Sequence, residues 1–357
     1  MTKAPSEREL FDVCGPIHLQ NIDWSEPSQK RSITASLVQG VYVSERDRQQ
    51  KRVDHNALAP IWWKIFDFAL IQMLVDNDTE SSIFGAIFEY QPSDNPNEND
   101  DIPPQSRPPK YVIAFRGCLM KSKTRYQDLH KGARLFLNKL TRDPRYQTSL
   151  EYVQDIVAQV GPENVWLTGH SLGAAIALQI GKTMARQGRL VEAYLFNPPY
   201  PSAPFDMLTN QKYKTRFRVV SSLATAAVSV VLKGTTENTQ QYDPFTILSP
   251  WKPYLFVNQY DPFCCGYIGY FEHREYMEKK GFSGIERVAA KDTLVSIVSG
   301  ACGKDGDAHH LIPTALLVTN SHPTKVEFKI AHGIHQWWAP YLNLQSVTYE
   351  FDKIQGR

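Results

Sequence analysis

The tightest constraint on the fold of this 357-residue chain is the run Val165-Trp166-Leu167-Thr168-Gly169-His170-Ser171-Leu172-Gly173-Ala174-Ala175-Ile176-Ala177. An apolar, strand-like segment passes through Gly-x-Ser-x-Gly into an alanine-rich, helix-like segment. Glycines two residues before and two after the serine let the backbone turn from strand to helix where a side chain would collide. The serine is then held at the tip of the turn, before a helix N-terminus whose unpaired N–H groups favour negative charge. The bare pattern arises by chance in roughly one chain of this length in ten, but its flanks make it specific. Leu150, Val153, Ile156, Val157 and Val160 recur at helical spacing, and Gly161-Pro162 closes that helix. After the turn, Ala174, Ala175 and Ala177 are small enough to pack closely on a sheet. The order helix, strand, sharp turn, helix is that of a nucleophile elbow, which makes Ser171 the candidate nucleophile. His170 is expected to pack within the elbow, because neighbouring side chains at a tight turn diverge.

Further strand candidates are Ile83–Tyr90, Tyr111–Phe115, Asn164–Leu167, Val191–Phe196, Tyr254–Asn258 and Thr314–Val318, most of them separated by helical runs. This alternation predicts an α/β fold with a mainly parallel sheet flanked by helices. Residues 1–80 read as a mainly helical N-terminal extension packed on a core of residues 81–357. Within the extension, Asp54 to Asp76 reads as one buried helix carrying Trp62, Trp63, Phe66 and Phe68. The Pro-, Asn- and Asp-rich stretch 91–109 reads as a mobile loop across which its flanking strands could pair.

Hydrophobic residues at 42% and aromatics at 11% support a sizeable core, and a net charge of +2 predicts no nucleic-acid partner. The cysteines, Cys14, Cys118, Cys264, Cys265 and Cys302, are odd in number and scattered, so they form no disulfide framework. They also lack the Cys-x-x-Cys spacing of a zinc site. The first ten residues lack the apolar core of a secretory signal, and the longest apolar run, Val219 to Leu232, is too short to span a bilayer. The expected location is cytoplasmic, with peripheral membrane contact left open. Oligomeric state is not legible.

A nucleophilic serine needs a base, a group to orient that base, and donors for an oxyanion. The order serine, acid, histidine along the chain suits an elbow of this kind. Asp261 is the best acid: it lies just past the strand Tyr254–Asn258, and Pro262 ends that strand. Asp206 and Asp243 have no clear strand before them. The base is drawn from the late histidines. His332 and His335 flank Gly333 ahead of Trp337-Trp338, and His322 directly follows a strand, so spacing leaves these three open. The oxyanion donors would be the backbone N–H of Leu172 and one from the loop Phe115-Arg116-Gly117-Cys118, where Gly117 permits close approach. Arg116 is expected to pair with a buried carboxylate and so hold that loop, with help in binding an anion as the alternative. The chemistry needs neither metal nor organic cofactor.

Phe115-Arg116-Gly117, Thr168 to Ala174 and Asn258 to Phe263 resemble the class 3 (fungal-type) triacylglycerol lipases. Ala35 to Tyr42 and Ala331 to Trp338 resemble a plant branch of these labelled GDSL esterase/lipase, although no Gly-Asp-Ser-Leu motif occurs. The resemblance covers nearly the whole chain, with a lipase-type core at about residues 80–340. It implies an α/β-hydrolase fold and a Ser-Asp-His triad acting on lipid or other acyl esters. Carried over by motif, Ser171 is the nucleophile and Asp261 the acid. An aromatic residue shortly after the family's base favours His335, three residues before Trp338, with Leu172 and Cys118 forming the oxyanion hole. Lipases of this class usually carry Thr or Ser where Cys118, a weaker donor, stands. The separation of 90 positions between Ser171 and Asp261 leaves room for a lid at 200–250. Two alternatives to ester hydrolysis are a lipase-like binding or signalling protein with little turnover, and an acyltransferase or thioesterase using the same triad.

Overall fold

A computed structural model describes residues 4–19, 21–76, 81–92, 107–119, 136–137, 139–200, 244–279, 312–321 and 326–351. Eight strands, β1 (Phe68–Val75), β2 (Ile83–Tyr90), β3 (Tyr111–Phe115), β4 (Val165–His170), β5 (Glu192–Phe196), β6 (Tyr254–Asn258), β7 (Ala315–Asn320) and β8 (Leu344–Tyr349), form one sheet. They lie side by side in sequence order. β3 to β7 run parallel. β1 and β2 at one edge and β8 at the other are antiparallel to their neighbours. The pairing of β2 with β3 is the one expected across the Pro-rich stretch, most of which (93–106) falls outside the described residues.

The central strands are buried on both faces, and their period of two divides the core accordingly. Ile113, Phe115, Leu167, Leu195, Leu255 and Val257 point to one side. There they meet two long helices, α2 (Pro144–Val160) and α3 (Leu172–Arg186). Val112, Ala114, Trp166, Tyr194, Phe196 and Phe256 point to the other side. That side is covered by a 24-residue helix, α1 (Pro27–Gln50), with Pro27 in its first turn. The N-terminal extension is therefore the second helical layer of the sandwich. A fourth long helix, α4 (Gly266–Lys279), follows β6.

α1 is buried almost all round although it is rich in small polar residues. Ser32, Ser36 and Ser44 donate to the carbonyl four residues back, as does Thr34, so burying these hydroxyls costs little. Gly40 lets the helix close on the bulky pair below it: a Cβ there would lie 3.0 Å from the Trp63 ring and 3.3 Å from Trp62 Cβ.

The helix expected from Asp54 to Asp76 is corrected. Only a 3-10 turn at Asp54–Asn56 and the α-helical turn Ile61–Lys64 form, Asp67 turns the chain with φ at 59°, and β1 follows. β1 slips register against β2 between Leu70 and Gln72 and again between Leu74 and Val75. Each slip breaks the alternation of buried and exposed residues, leaving a spacing that mimics a helix. The sheet thus begins at Phe68, inside the stretch read as the extension. β8 was not anticipated either, because this exposed edge strand is mostly polar. Among the described residues no helix is long and apolar enough to cross a membrane.

Candidate active site

The loops that follow the parallel strands meet at one end of the sheet. β4 ends at His170, and Ser171 adopts φ 54° and ψ −124°, a conformation L-residues avoid. The elbow holds it there: Ser171 N–H donates to Phe196 O at 2.9 Å, and Ser171 O accepts from Ala175 N–H as α3 begins. Both glycines are sterically required. A Cβ on Gly169 would fall 2.5 Å from the Gly173 carbonyl carbon, and one on Gly173 would overlap the Phe115 carbonyl.

Asp261 lies three residues beyond β6 and is fully buried. Its Oδ2 faces His332 Nδ1 at 2.9 Å, and His332 Nε2 lies 3.1 Å from Ser171 Oγ. The structure thus brings together Ser171, Asp261 and His332. His335, favoured from the aromatic spacing, is not in this set. It sits on the next turn, in the 3-10 segment Ile334–Trp338, where Gly333 abuts its ring. Burial, together with nearby Arg8, lowers its pKa to about 4. His322 lies outside the described residues, as do residues 201–243, which hold most of the expected lid.

The aromatic residues at the imidazole are not the tryptophans. Phe328 stacks on His332 with ring centroids 5.1 Å apart and planes 14° apart, and Phe263 lies 5.0 Å away. The sequence signal for His332 was Phe328, four residues earlier and so on the same face of the helical turn Phe328–Ala331. Trp337 instead donates from Nε1 to Asn197 Oδ1 and packs against Phe196 and Phe256, while Trp338 Nε1 donates to Cys14 O.

Asn197 and Gln336 were not singled out from sequence, yet they tie the loops together. Asn197, directly after β5 with φ at 48°, donates from Nδ2 to Asp261 Oδ2 at 2.7 Å and to Ala331 O at 3.0 Å. Gln336 donates to Ala331 O and Gly333 O and accepts from Asn258 and Asn320, at the ends of β6 and β7. Only a strand-terminal Asn before Pro198-Pro199 could have flagged Asn197. Nothing local flags Gln336.

Burial pushes the Asp261 carboxyl up, but adjacent His332 and the donors His332, Asn197 and Phe263 N–H hold it below the usual carboxylate value. Asp261 is therefore a carboxylate facing the imidazole. Cys264 Sγ also lies 3.2 Å from Asp261 Oδ2; burial and the facing carboxylate push the thiol well up, so it stays protonated and donates.

His170 packs in the elbow as expected, and it also bonds on both ring nitrogens. Nδ1 lies 2.9 Å from Tyr42 Oη and Nε2 lies 2.7 Å from His332 O. The carbonyl can only accept, so Nε2 carries the proton and Tyr42 donates to Nδ1. Tyr42 Oη in turn accepts from Gly117 N–H at 2.7 Å. Burial, followed by the neighbouring His332, drops the His170 pKa to about 3, which keeps the ring neutral and this direction of donation intact. One hydrogen-bonded chain therefore links the loop after β3, α1, the elbow and the backbone of His332.

Arg116 holds its loop, but through backbone carbonyls and not the expected carboxylate: Nε donates to Ile83 O and Nη1 to Gly117 O. Gly117 is required here too, since a Cβ would lie 2.8 Å from both Ser171 Cβ and Tyr42 Oη. With Gly117 N–H committed to Tyr42, the neighbouring free donors are Leu172 and Cys118. Neither N–H has a backbone acceptor among the described residues. The Cys118 side chain is exposed. Among the described residues no group of His, Cys, Asp and Glu is arranged to hold a metal.

Residues 109–223 match the family of class 3 lipases. The chain is 40% identical over 354 residues to an Arabidopsis thaliana protein named GDSL esterase/lipase At4g10955, covering 97% of this chain and 99% of that one. Among solved structures, an esterase from Pyrobaculum calidifontis aligns at 14% identity with a TM-score of 0.27, over 81% of this chain and 97% of that one. A fungal esterase from Rhizomucor miehei aligns at 13% identity and a TM-score of 0.28, over 74% and 83%.

Proposed function

The chain belongs to the class 3 lipase-like esterase/lipases, and from that premise we propose that it hydrolyses acyl esters through a covalent acyl-enzyme on Ser171. It is a carboxylic ester hydrolase with the α/β-hydrolase fold. The observation that carries the finer reading is the continuous pair of hydrogen bonds from Asp261 through His332 to Ser171.

In the proposed reaction, His332 Nε2 takes the Ser171 Oγ proton as Oγ attacks the ester carbonyl carbon. Asp261 holds the imidazole with Nδ1–H toward the carboxylate and stabilises the imidazolium that forms. The N–H groups of Leu172 and Cys118 receive the charge that develops on the carbonyl oxygen. His332 then passes its proton to the departing alkoxide, releasing the alcohol. A water, deprotonated by His332, attacks the acyl-enzyme and frees the acid and Ser171. The strained φ of Ser171 supports this reading, because it holds Oγ clear of its own helix at the site's floor. The substrate class is a small-molecule or lipid acyl ester.

The test is labelling with a fluorophosphonate, which phosphonylates an activated serine. Wild type is expected to label at Ser171 and Ser171→Ala to remain unlabelled. A folded wild type that does not react would overturn the reading.

A further inference from the structure

We propose that Arg8 and Arg46 form an anion-binding subsite in the cavity above Ser171, so that the preferred esters carry a carboxylate or phosphate group. This rests on Ser171 being the residue that is acylated. A cavity of about 1090 Å³ opens over Ser171 and His332, walled on one side by the N-terminal extension and α1. Its charged lining has an excess of one cation: Arg8, Arg46 and Lys329 against Glu7 and Glu9.

Glu9 is already spoken for, with Oε2 on Arg52 at 2.7 Å and Oε1 on Ser6. The same holds for the acids flanking Arg46 on α1. Glu45 binds Arg48 and receives the Ile83 N–H, and Asp47 binds Arg52 and the N–H groups of Leu58 and Ala59. Arg46, half-buried, and Arg8 are left without a side-chain partner among the described residues. Other arginines of the region are committed, Arg31 to Trp337 O and Arg116 to two carbonyls. The Arg8 backbone is fixed by Gln39 Nε2, which donates to Arg8 O at 2.7 Å. Its positive charge also disfavours the protonated form of His335. Two guanidinium groups with no carboxylate partner among the described residues, lining the same cavity as Ser171, provide the forked donors that match carboxylate or phosphate oxygens. A wholly neutral ester leaves them unpaired.

Two matched pairs of substrates test this and locate the anion. On the acyl side, p-nitrophenyl hexanoate is compared with the p-nitrophenyl monoester of adipic acid. On the alcohol side, dihexanoylglycerol is compared with dihexanoyl phosphatidic acid. Wild type is expected to favour the anionic member of one pair by about tenfold in kcat/KM. Added salt should reduce that ratio, and Arg8→Gln/Arg46→Gln should bring it near one. Equal kcat/KM within both pairs, or a ratio that survives the double substitution, would overturn the subsite. Calorimetric titration of adipate and of inorganic phosphate into wild type and the double variant reads the subsite without turnover. Binding of either anion lost in the double variant supports it, and no difference refutes it. If no ester turns over and the fluorophosphonate does not react, the hydrolase reading fails, and this titration still decides the subsite.

Discussion

Tyr42→Phe removes one oxygen from the middle of the hydrogen-bonded chain that joins the loop after β3 to the backbone of His332. Phenylalanine keeps the ring and its edge contact with His170, whose centroid lies 5.9 Å away. It takes away the acceptor of Gly117 N–H at 2.7 Å and the donor to His170 Nδ1 at 2.9 Å. Gly117 and His170 are both buried, so both groups lose a partner that water cannot easily replace. Each such loss costs about 1–3 kcal/mol, and the two together lower unfolding stability by roughly 2–6 kcal/mol. The catalytic consequence is larger than the distance from Ser171 suggests. Gly117 immediately precedes Cys118, and losing one oxyanion donor outright costs about 100- to 1000-fold in kcat. A donor loosened rather than lost should cost about 10- to 100-fold in kcat with KM changed by less than about threefold, since a developing charge feels the misplacement more than a bound ester does. Urea unfolding and steady-state hydrolysis of p-nitrophenyl butyrate measure both. A variant with kcat within about twofold of wild type and an unchanged unfolding midpoint would show that Tyr42 does not position the loop.

The histidine assignment separates cleanly by substitution: His332→Ala should lower kcat by about 10⁴-fold or more, and His335→Ala by less than about tenfold, with the reverse ranking in the same ester assay refuting the geometry. Gly117→Ala, whose Cβ would meet Ser171 and Tyr42 at 2.8 Å, should abolish labelling of Ser171 while circular dichroism reports an intact fold. Stability should fall on acidification. His170 and His335 have pKa values lowered from 6.5 to about 3 and about 4, so the unfolded chain binds their protons first as the pH drops. Their contribution is complete above pH 6.5 and is lost as pH falls toward 4 and then 3, at about 1.4 kcal/mol per pH unit for each proton. His335→Gln should flatten the slope of unfolding free energy between pH 6.5 and 4; an unchanged slope would remove His335 from the account.

The strands and the elbow were legible from sequence to different depths. β2, β3 and β6 coincide with their expected bounds because buried central strands are dense apolar runs closed by Pro, Asn or Gly. β1 was hidden by its two register slips and β8 by its exposed, polar face. α1 gave little amphipathic signal because its serines and Thr34 satisfy themselves on the helix backbone and can be buried like alanines.

The elbow at 169–173 was determined by sequence alone, because the steric demands of five consecutive residues decide it. Asp261 was similarly marked, as the acid in the turn that closes β6. Which histidine faces Ser171 was decided only by the tertiary structure. His332 meets Asp261 across 71 residues and Ser171 across 161. Its ring stacks on Phe328, and its loop is tied by Asn197 at the end of β5 and by Gln336, which reaches from that loop to Asn258 and Asn320 at the ends of β6 and β7. Three residues along the chain separate His332 from His335, but the extended Gly333 between them places the two in different helical segments. The fold tells them apart through directional hydrogen bonds a few ångströms long, between groups that become neighbours only once the sheet has ordered its loops.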